Sequence, residues 1–477
     1  MTRPASRLAL TALVALVACH RPAPAPPAPR PPDAAAVAVD GPPPAPRGTP
    51  LALLYSSNLL GEYEAHPLGG LARRMTVVER ARAENGVIHV DAGDTVLPAL
   101  ASLDRDRGEL ERRAALLLTG LAATHLDALV PGETDLALGP ARLKSLAAKA
   151  GVPLLAANLL SDRRPWLPAD RLLKAGEVPI GLFGLVHLSQ DDLPPPLAQS
   201  EPEPAARAAV ERLRARGARL VIGLVHLEGG IEEARALARA VDGIDVLVVG
   251  HDAATTAAPV REGNTRIVEA HRRGTFLGRL DLDVWADGFA ARNGMIRLDP
   301  TVPPDPAVKA RMRGYVEETL HRIDRGLPAA LSPAPAKQPE ENWTYASNGA
   351  CALCHQQASE QWAKTAHATA LATLQSKGRG RDPYCFGCHL TAFQQPGGTR
   401  SLDTAITYFP GVGCESCHGP SVLHVRANRA VHTRRQVPES VCRACHRDDQ
   451  QPQPFDYAAG LKLVLGPGHG DGGKGMR

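Results

Sequence analysis

Cys351-Ala-Leu-Cys354-His355, Cys385-Phe-Gly-Cys388-His389, Cys414-Glu-Ser-Cys417-His418 and Cys442-Arg-Ala-Cys445-His446 are four copies of one pattern, crowded into the last third of a 477-residue chain. C-x-x-C-H is the attachment signature of c-type haem. Two thiols separated by two residues can each form a thioether to one porphyrin vinyl group, and the adjacent histidine then ligates the iron from the proximal side. Paired C-x-x-C units also build zinc ribbons, but a ribbon needs four thiolates per metal and has no use for a histidine after every second cysteine. The chain has nine cysteines. Eight fill the motifs, so no disulfide framework is expected. Four covalently bound haems and an electron-carrying role follow.

The ninth cysteine, Cys19, has a different setting. Arg3 and Arg7 precede an apolar run, Leu8 to Ala18, too short to span a bilayer. The run ends Leu16-Val17-Ala18-Cys19, which resembles the lipobox of bacterial lipoproteins. That resemblance implies a lipoprotein signal peptide over 1–18, lipidation of Cys19 and an exported, lipid-anchored product. His20 after the cysteine points to the outer membrane, facing the periplasm or the cell surface. Residues 19–50 are dominated by Pro and Ala, cannot pack a core, and read as an extended tether. A net charge of +4 points to no nucleic-acid partner; redox proteins are the expected partners.

Residues 51–325 alternate short apolar strands with Ala/Leu/Arg-rich helices, the pattern of a layered α/β fold. Strands are expected at 51–55, 87–91, 152–156, 179–185, 220–226 and 244–249, and helices include 108–121 and 204–216. A second Pro/Ala-rich linker, 326–342, precedes the haem motifs. The expected architecture is therefore an α/β layered sandwich followed by a small, mostly α-helical and loop-rich multihaem cytochrome domain over 343–477.

Several stretches of the α/β region occur in a telling order: Ser56-Ser-Asn-Leu-Leu-Gly61, Gly69-Gly-Leu-Ala-Arg-Arg74, Val90-Asp-Ala-Gly-Asp-Thr95, Gly132-Glu-Thr-Asp135, Ala157-Asn158, Leu224-Val-His226 and Val249-Gly-His-Asp-Ala253. Together they resemble the metallophosphoesterase domain of the 5′-nucleotidase / UDP-sugar hydrolase family. That family holds two divalent ions against a phosphoryl group. Here the ligand set is eroded. Asn58 and Leu60 stand where the family has Asp and His, Glu133 and Thr134 where it has Asn and His, and Ala253 replaces the last His. Asp94, His226 and His251 remain as a vestigial metal site. With three ligands left, a divalent metal is not expected, no catalytic residue is assigned, and no phosphoesterase activity is expected. A scaffold or docking role is the expectation.

Apart from the proximal four, the haem region contains His367, His424, His432 and His469, and its one methionine is Met476. Bis-histidine ligation is expected over Met/His. Cys351–His355 followed by Trp362-Ala-Lys-Thr-Ala-His367-Ala, Cys385–His389 with Gly397-Gly398, and Gly411-Val-Gly-Cys-Glu-Ser-Cys-His-Gly-Pro420 resemble the tetrahaem cytochrome c-554 / c-prime family. The resemblance implies distal ligands at His367, His424 and His469, in that order of match, with His432 in reserve. It also implies one five-coordinate haem, at the second motif. Two other functions stay open on the sequence: a multihaem oxidoreductase acting on a small nitrogen or sulfur compound at that open haem, with Tyr384 as an acid, or a nucleotide- or sugar-binding protein with attached haems.

Overall fold

The structure is a computed structural model, and it describes residues 48–64, 68–98, 107–252, 255–324, 344–377, 379–381, 383–399, 401–426, 431–446, 455–466 and 469. The expected signal peptide, Cys19, nearly all of the tether, the linker 326–342, Ala253, Met476 and the Tyr384 side chain lie outside them. Among the described residues, no helix is long and apolar enough to cross a membrane.

Fourteen strands are assigned among the described residues. In chain order they are β1 (Thr49–Ser56), β2 (Gly86–Asp91), β3 (Ala128–Leu129), β4 (Leu159–Ser161) and β5 (Arg164–Pro165). Next come β6 (Asp170–Ala175), β7 (Val178–His187), β8 (Leu197–Gln199), β9 (Leu220–Leu227) and β10 (Val246–Gly250). The series closes with β11 (Val260–Glu262), β12 (Thr265–Glu269), β13 (Phe276–Trp285) and β14 (Gly288–Arg297). They form a five-stranded sheet, β14-β13-β1-β2-β3, a six-stranded sheet, β11-β12-β10-β9-β7-β6, and a small sheet, β5-β4-β8.

The two large sheets stack because their strands are apolar on both faces. Leu51, Leu53 and Tyr55 of β1 share one core with Ile222 and Leu224 of β9 and with Val246 and Val248 of β10. The alternate residues point the other way. Val221, Val225, Leu247 and Val249 meet Ala206, Ala209 and Leu213 of helix Pro202–Ala215. Ala52 and Leu54 meet Val77, Val78 and Ala81 of helix Leu71–Glu84. With side chains alternating every residue, such strands must be covered on both sides, and a helix–sheet–sheet–helix sandwich is the result.

The expected strand at 152–156 does not form; Leu154 makes only an isolated bridge to Leu129. Its apolar residues fill the core from a loop instead, Leu155 and Ala156 being fully buried. The other expected strands and both helices are present, with ends displaced by a few residues.

Buried within β2 is His89, whose Nδ1–H donates to the Thr124 carbonyl at 3.1 Å. Burial, reinforced by the nearby Arg74 guanidinium, lowers its pKa from 6.5 to about 3. A depressed folded-state pKa means the unfolded chain binds the proton more readily. Stability is complete above pH 6.5 and falls as the pH drops toward 3, by about 1.4 kcal/mol per pH unit from this residue. A His89→Phe variant is expected to flatten that acid limb in urea unfolding at pH 4–7. An unchanged slope counts against the assignment.

The last helix of the α/β region, Pro306–Asp324, is shared. Val308 and Met312 pack on the sandwich core, while Leu320 joins Leu371, Leu374, Phe386 and Phe393 beyond residue 344. That second cluster is small, and short helices and loops surround it.

Candidate functional site

Each C-x-x-C-H lies on or at the end of a short helix: Ser347–Ala352 running into a turn, Pro383–His389, Cys414–His418, and Glu439–Arg443 running into a turn. Helical spacing places the two cysteines of a motif on one face. The turns are closed by His355 N–H to the Cys351 carbonyl, 2.9 Å, and His446 N–H to the Cys442 carbonyl, 2.8 Å. No disulfide joins the eight thiols; Cys354 is exposed and the rest are half-buried.

The histidines stand in facing pairs. His355 and His424 have ring centres 6.2 Å apart with planes at 26°. His418 and His469 are 6.5 Å apart at 19°, and His367 and His446 are 5.9 Å apart at 49°. With metal–imidazole bonds of about 2 Å, two rings on opposite sides of one iron put their centres about 6 Å apart. The pairs thus have the spacing of bis-histidine ligation. Each joins one motif histidine to one of the three expected distal residues. His432 is exposed and outside these pairs. Among the described residues, no histidine ring faces His389.

The second ring nitrogen supports the same fit. Nδ1 of His389 lies 2.9 Å from the Ala370 carbonyl, that of His418 2.7 Å from the Arg434 carbonyl, and that of His424 2.7 Å from the Val431 carbonyl. A carbonyl can only accept, so Nδ1 carries the proton and Nε2 keeps the lone pair a metal needs. Apolar side chains left at the surface, including Leu353, Leu423, Val425 and Leu463, cluster in this region too. These are surfaces a porphyrin would cover.

Residues 411–415 bind the region together. Trp362 Nε1–H donates to the Val412 carbonyl, 2.8 Å, and Val412 N–H donates to the His367 carbonyl, 3.0 Å. Gly411 has φ +75°, and a Cβ there would meet the His367 carbonyl at 2.9 Å, so the approach needs glycine. The buried Glu415 carboxylate accepts from the N–H groups of Ala346, Ser347 and Ser421 at 2.8–3.0 Å, tying the third motif to the helix that carries the first. The Glu415 clamp was not legible in the sequence, because its partners are backbone groups.

The other expected site assembles at the carboxyl ends of β1, β2, β3, β9 and β10, where open α/β sheets place their sites. Asn58 follows β1, Asp94 follows β2, and Glu133 opens helix Glu133–Leu136 after β3. His226 is in β9 and His251 follows β10. His226 is fully buried. Its Nδ1 lies 2.8 Å from the Ala92 carbonyl and its Nε2 2.7 Å from Glu133 Oε2. Asp94 Oδ1 is 3.9 Å from the same Nε2. His251 Nδ1 is 3.3 Å from Glu133 Oε1. Asp94 Oδ1 accepts from Thr134 N–H and Oγ1–H, both 2.9 Å. A Cβ on Gly132 would collide with Asp94 and His226, so only glycine lets the loop after β3 come this close.

Burial alone would lower the His226 pKa, but Asp94 and Glu133 outweigh it and push the imidazole up to about 9. Burial would likewise raise Glu133, yet hydrogen bonds from His226 and His251 hold its carboxyl well below the usual range. Burial drives Asp94 well above its usual value. The structure therefore brings Asp94, His226 and His251 together and adds a fourth residue, Glu133, which the sequence reading counted as a lost ligand. The signal was present: a carboxylate in place of an amide keeps an oxygen donor.

Comparison with known proteins divides the chain the same way. A family model described as Cytochrome c554 and c-prime matches residues 350–419, which hold the first three motifs. Cytochrome c-554 of Nitrosomonas europaea is 35% identical over 85 residues, 15% of this chain and 36% of that protein. Human 5′-nucleotidase is 25% identical over 276 residues, 51% of this chain and 46% of that protein. The chain spans less than half the length of these curated relatives. Among solved structures, sulfate thiohydrolase SoxB of Thermus thermophilus aligns with TM-score 0.50 and 21% identity, covering 57% of this chain and 61% of that one. A 5′-nucleotidase precursor, also from Thermus thermophilus, gives TM-score 0.50 and 22% identity, with 57% and 60% covered. The C-terminal part resembles cytochrome c-554, and the sandwich has the metallophosphoesterase-like fold.

Proposed function

We propose that the chain is a lipid-anchored tetrahaem c-type cytochrome that passes electrons between redox proteins outside the inner membrane. Its phosphoesterase-like part acts as a scaffold or docking module. Support for the anchor comes from Leu16-Val17-Ala18-Cys19 and the Pro/Ala-rich stretch after it. An outer-membrane location rests on His20. The observation that carries the electron-transfer reading is the set of facing pairs, His355–His424, His367–His446 and His418–His469. When bound, c-type haem supplies an iron that alternates between ferric and ferrous states.

The rest is this chain's own work. The eight motif cysteines would hold the haem covalently, and the paired imidazoles would supply nitrogen donors to its iron. Backbone carbonyls at Ala370, Arg434 and Val431 hold the rings in the tautomer that presents Nε2. Two neutral nitrogen donors per iron favour low potentials over Met/His ligation. Ligands already in position also keep reorganisation small.

The test is a redox titration followed by EPR on haem-matured, full-length protein. Three low-spin bis-histidine centres and one high-spin centre are expected. Four low-spin centres, or none, would overturn the ligation scheme.

His389 favours a second reading, since no described histidine faces it: an oxidoreductase acting on a small nitrogen or sulfur compound there. Turnover of nitrite or hydroxylamine at enzymic rates would replace the carrier reading with this one.

A further inference from the structure

Two of the attachment motifs meet at one buried carboxylate. Glu415 lies between the two cysteines of the third motif and is only 3% exposed. Its Oε1 accepts from Ala346 N–H and Ser421 N–H, both at 2.8 Å. Its Oε2 accepts from Ala346 N–H at 3.0 Å and Ser347 N–H at 2.9 Å. The first motif closes on the same spot. Cys351 Sγ–H donates to the Ser347 carbonyl at 3.4 Å, and Asn348 Oδ1 accepts from Cys414 N–H at 2.9 Å. The Cys351 and Cys414 thiols share a hydrogen bond. The leading cysteines of the first and third motifs therefore stand side by side, next to this carboxylate.

Both oxygens of Glu415 face N–H donors, which leaves no acceptor for a carboxyl proton and holds the group as an anion. Burial pushes its pKa up, and the three N–H groups oppose that rise. Among the described residues, no lysine or arginine side chain pairs with it. Its field reaches beyond the motif: burial and then the Glu415 charge raise the Tyr345 pKa to about 12.

We infer that Glu415, besides positioning the first and third motifs, supplies a fixed negative charge that lowers the reduction potential of the centres at both. This rests on the tetrahaem reading above and adds to it a determinant other than the axial ligands. A ferric centre carries one more positive charge than a ferrous one, so a nearby anion favours the ferric state. In a water-poor setting that attraction is weakly screened, and net charge is one of the levers that set an iron centre's potential.

Haem-matured, full-length wild type, Glu415→Gln and Asn348→Asp would be compared by potentiometric titration followed by EPR. His424→Ala and His469→Ala, which remove the partners of His355 and His418, identify the signals of the first and third centres. Glu415→Gln removes the charge and nearly keeps the shape. It should raise both centres so that their ferric-to-ferrous ratio at a fixed potential falls at least tenfold, about 59 mV for one electron, and leave the second and fourth in place. Asn348→Asp keeps the acceptor for Cys414 N–H and adds a charge at the same place, so it should lower the same two. A merely structural role would not give opposite shifts. Unmoved potentials, equal shifts at all four centres, or shifts of one sign in both variants would overturn the inference. Should either variant not take up four haems, the other decides alone, and unmoved first and third potentials then overturn it. Four low-spin centres or none in wild type would instead sink the ligation scheme, so the two failures are distinguishable.

Discussion

Full-length protein made without haem attachment is expected to keep its α/β sandwich and lose everything beyond residue 344 to protease. The residues past 344 bury one small apolar cluster, whose largest side chains are Phe386 and Phe393. So little apolar burial cannot offset the backbone entropy of ordering the region, and short helices joined by loops add little stability of their own. Covalent porphyrins would supply the missing apolar surface, and each paired imidazole would add a cross-link.

The sandwich needs no such help, because its sheets are buried on both faces. Limited proteolysis with mass spectrometry should therefore leave a fragment ending near helix Pro306–Asp324 in the haem-free protein, and a nearly intact chain in the matured one. The last turn of that helix should be the weak point, since Leu320 packs against the part that is lost. Equal protection in both preparations would show that the residues fold by themselves, and the view of the haems as the region's core would be wrong.

The legible and illegible parts of the molecule separate by range of interaction. β1, β2, β7, β9 and β10 could be placed because each is a local apolar run bounded by turn residues, which is information held within a few positions. The run at 152–156 looks the same locally, yet it stays a loop because β3, to which it bridges, spans only Ala128–Leu129. The long β13–β14 hairpin was absent from the expected strands. Its outer strand alternates half-buried and exposed residues and reads as polar.

The haem motifs could be read because covalent chemistry fixes residue type and spacing, and His367, His424 and His469 were expected as distal ligands from the inventory and the family resemblance. Which motif histidine each would face could not be read. His355 pairs with His424, His367 with His446 and His418 with His469, an interleaved pattern that no local spacing encodes. The contacts of Glu133 could not be read for a related reason: its partners, His226 and His251, lie far away in the sequence.

Interleaving makes the ligation scheme testable one centre at a time. His424→Ala should turn the centre at the first motif from low-spin to high-spin and leave the others unchanged. His367→Ala should do the same at the fourth motif, and His469→Ala at the third. Each removes one of two axial nitrogens, which weakens the ligand field enough to change the spin state. It should also raise that centre's potential by on the order of 0.1 V, within the ~0.8 V range axial ligands command.

Neighbouring structure decides how clean each result will be. His424 is half-buried on a short helix, held by its own bond to the Val431 carbonyl, so its loss should be silent elsewhere. His367 is different. Its carbonyl accepts from Val412 and abuts Gly411, but those are backbone contacts that alanine keeps, so the third motif should stay in place. His432→Ala is the control. Were it to produce a high-spin centre while His424→Ala did not, the first pair would have to be redrawn through the loop that carries His432. EPR of the four variants beside wild type, read with potentiometry at each Soret shoulder, distinguishes the two arrangements because only one substitution can remove the first motif's partner.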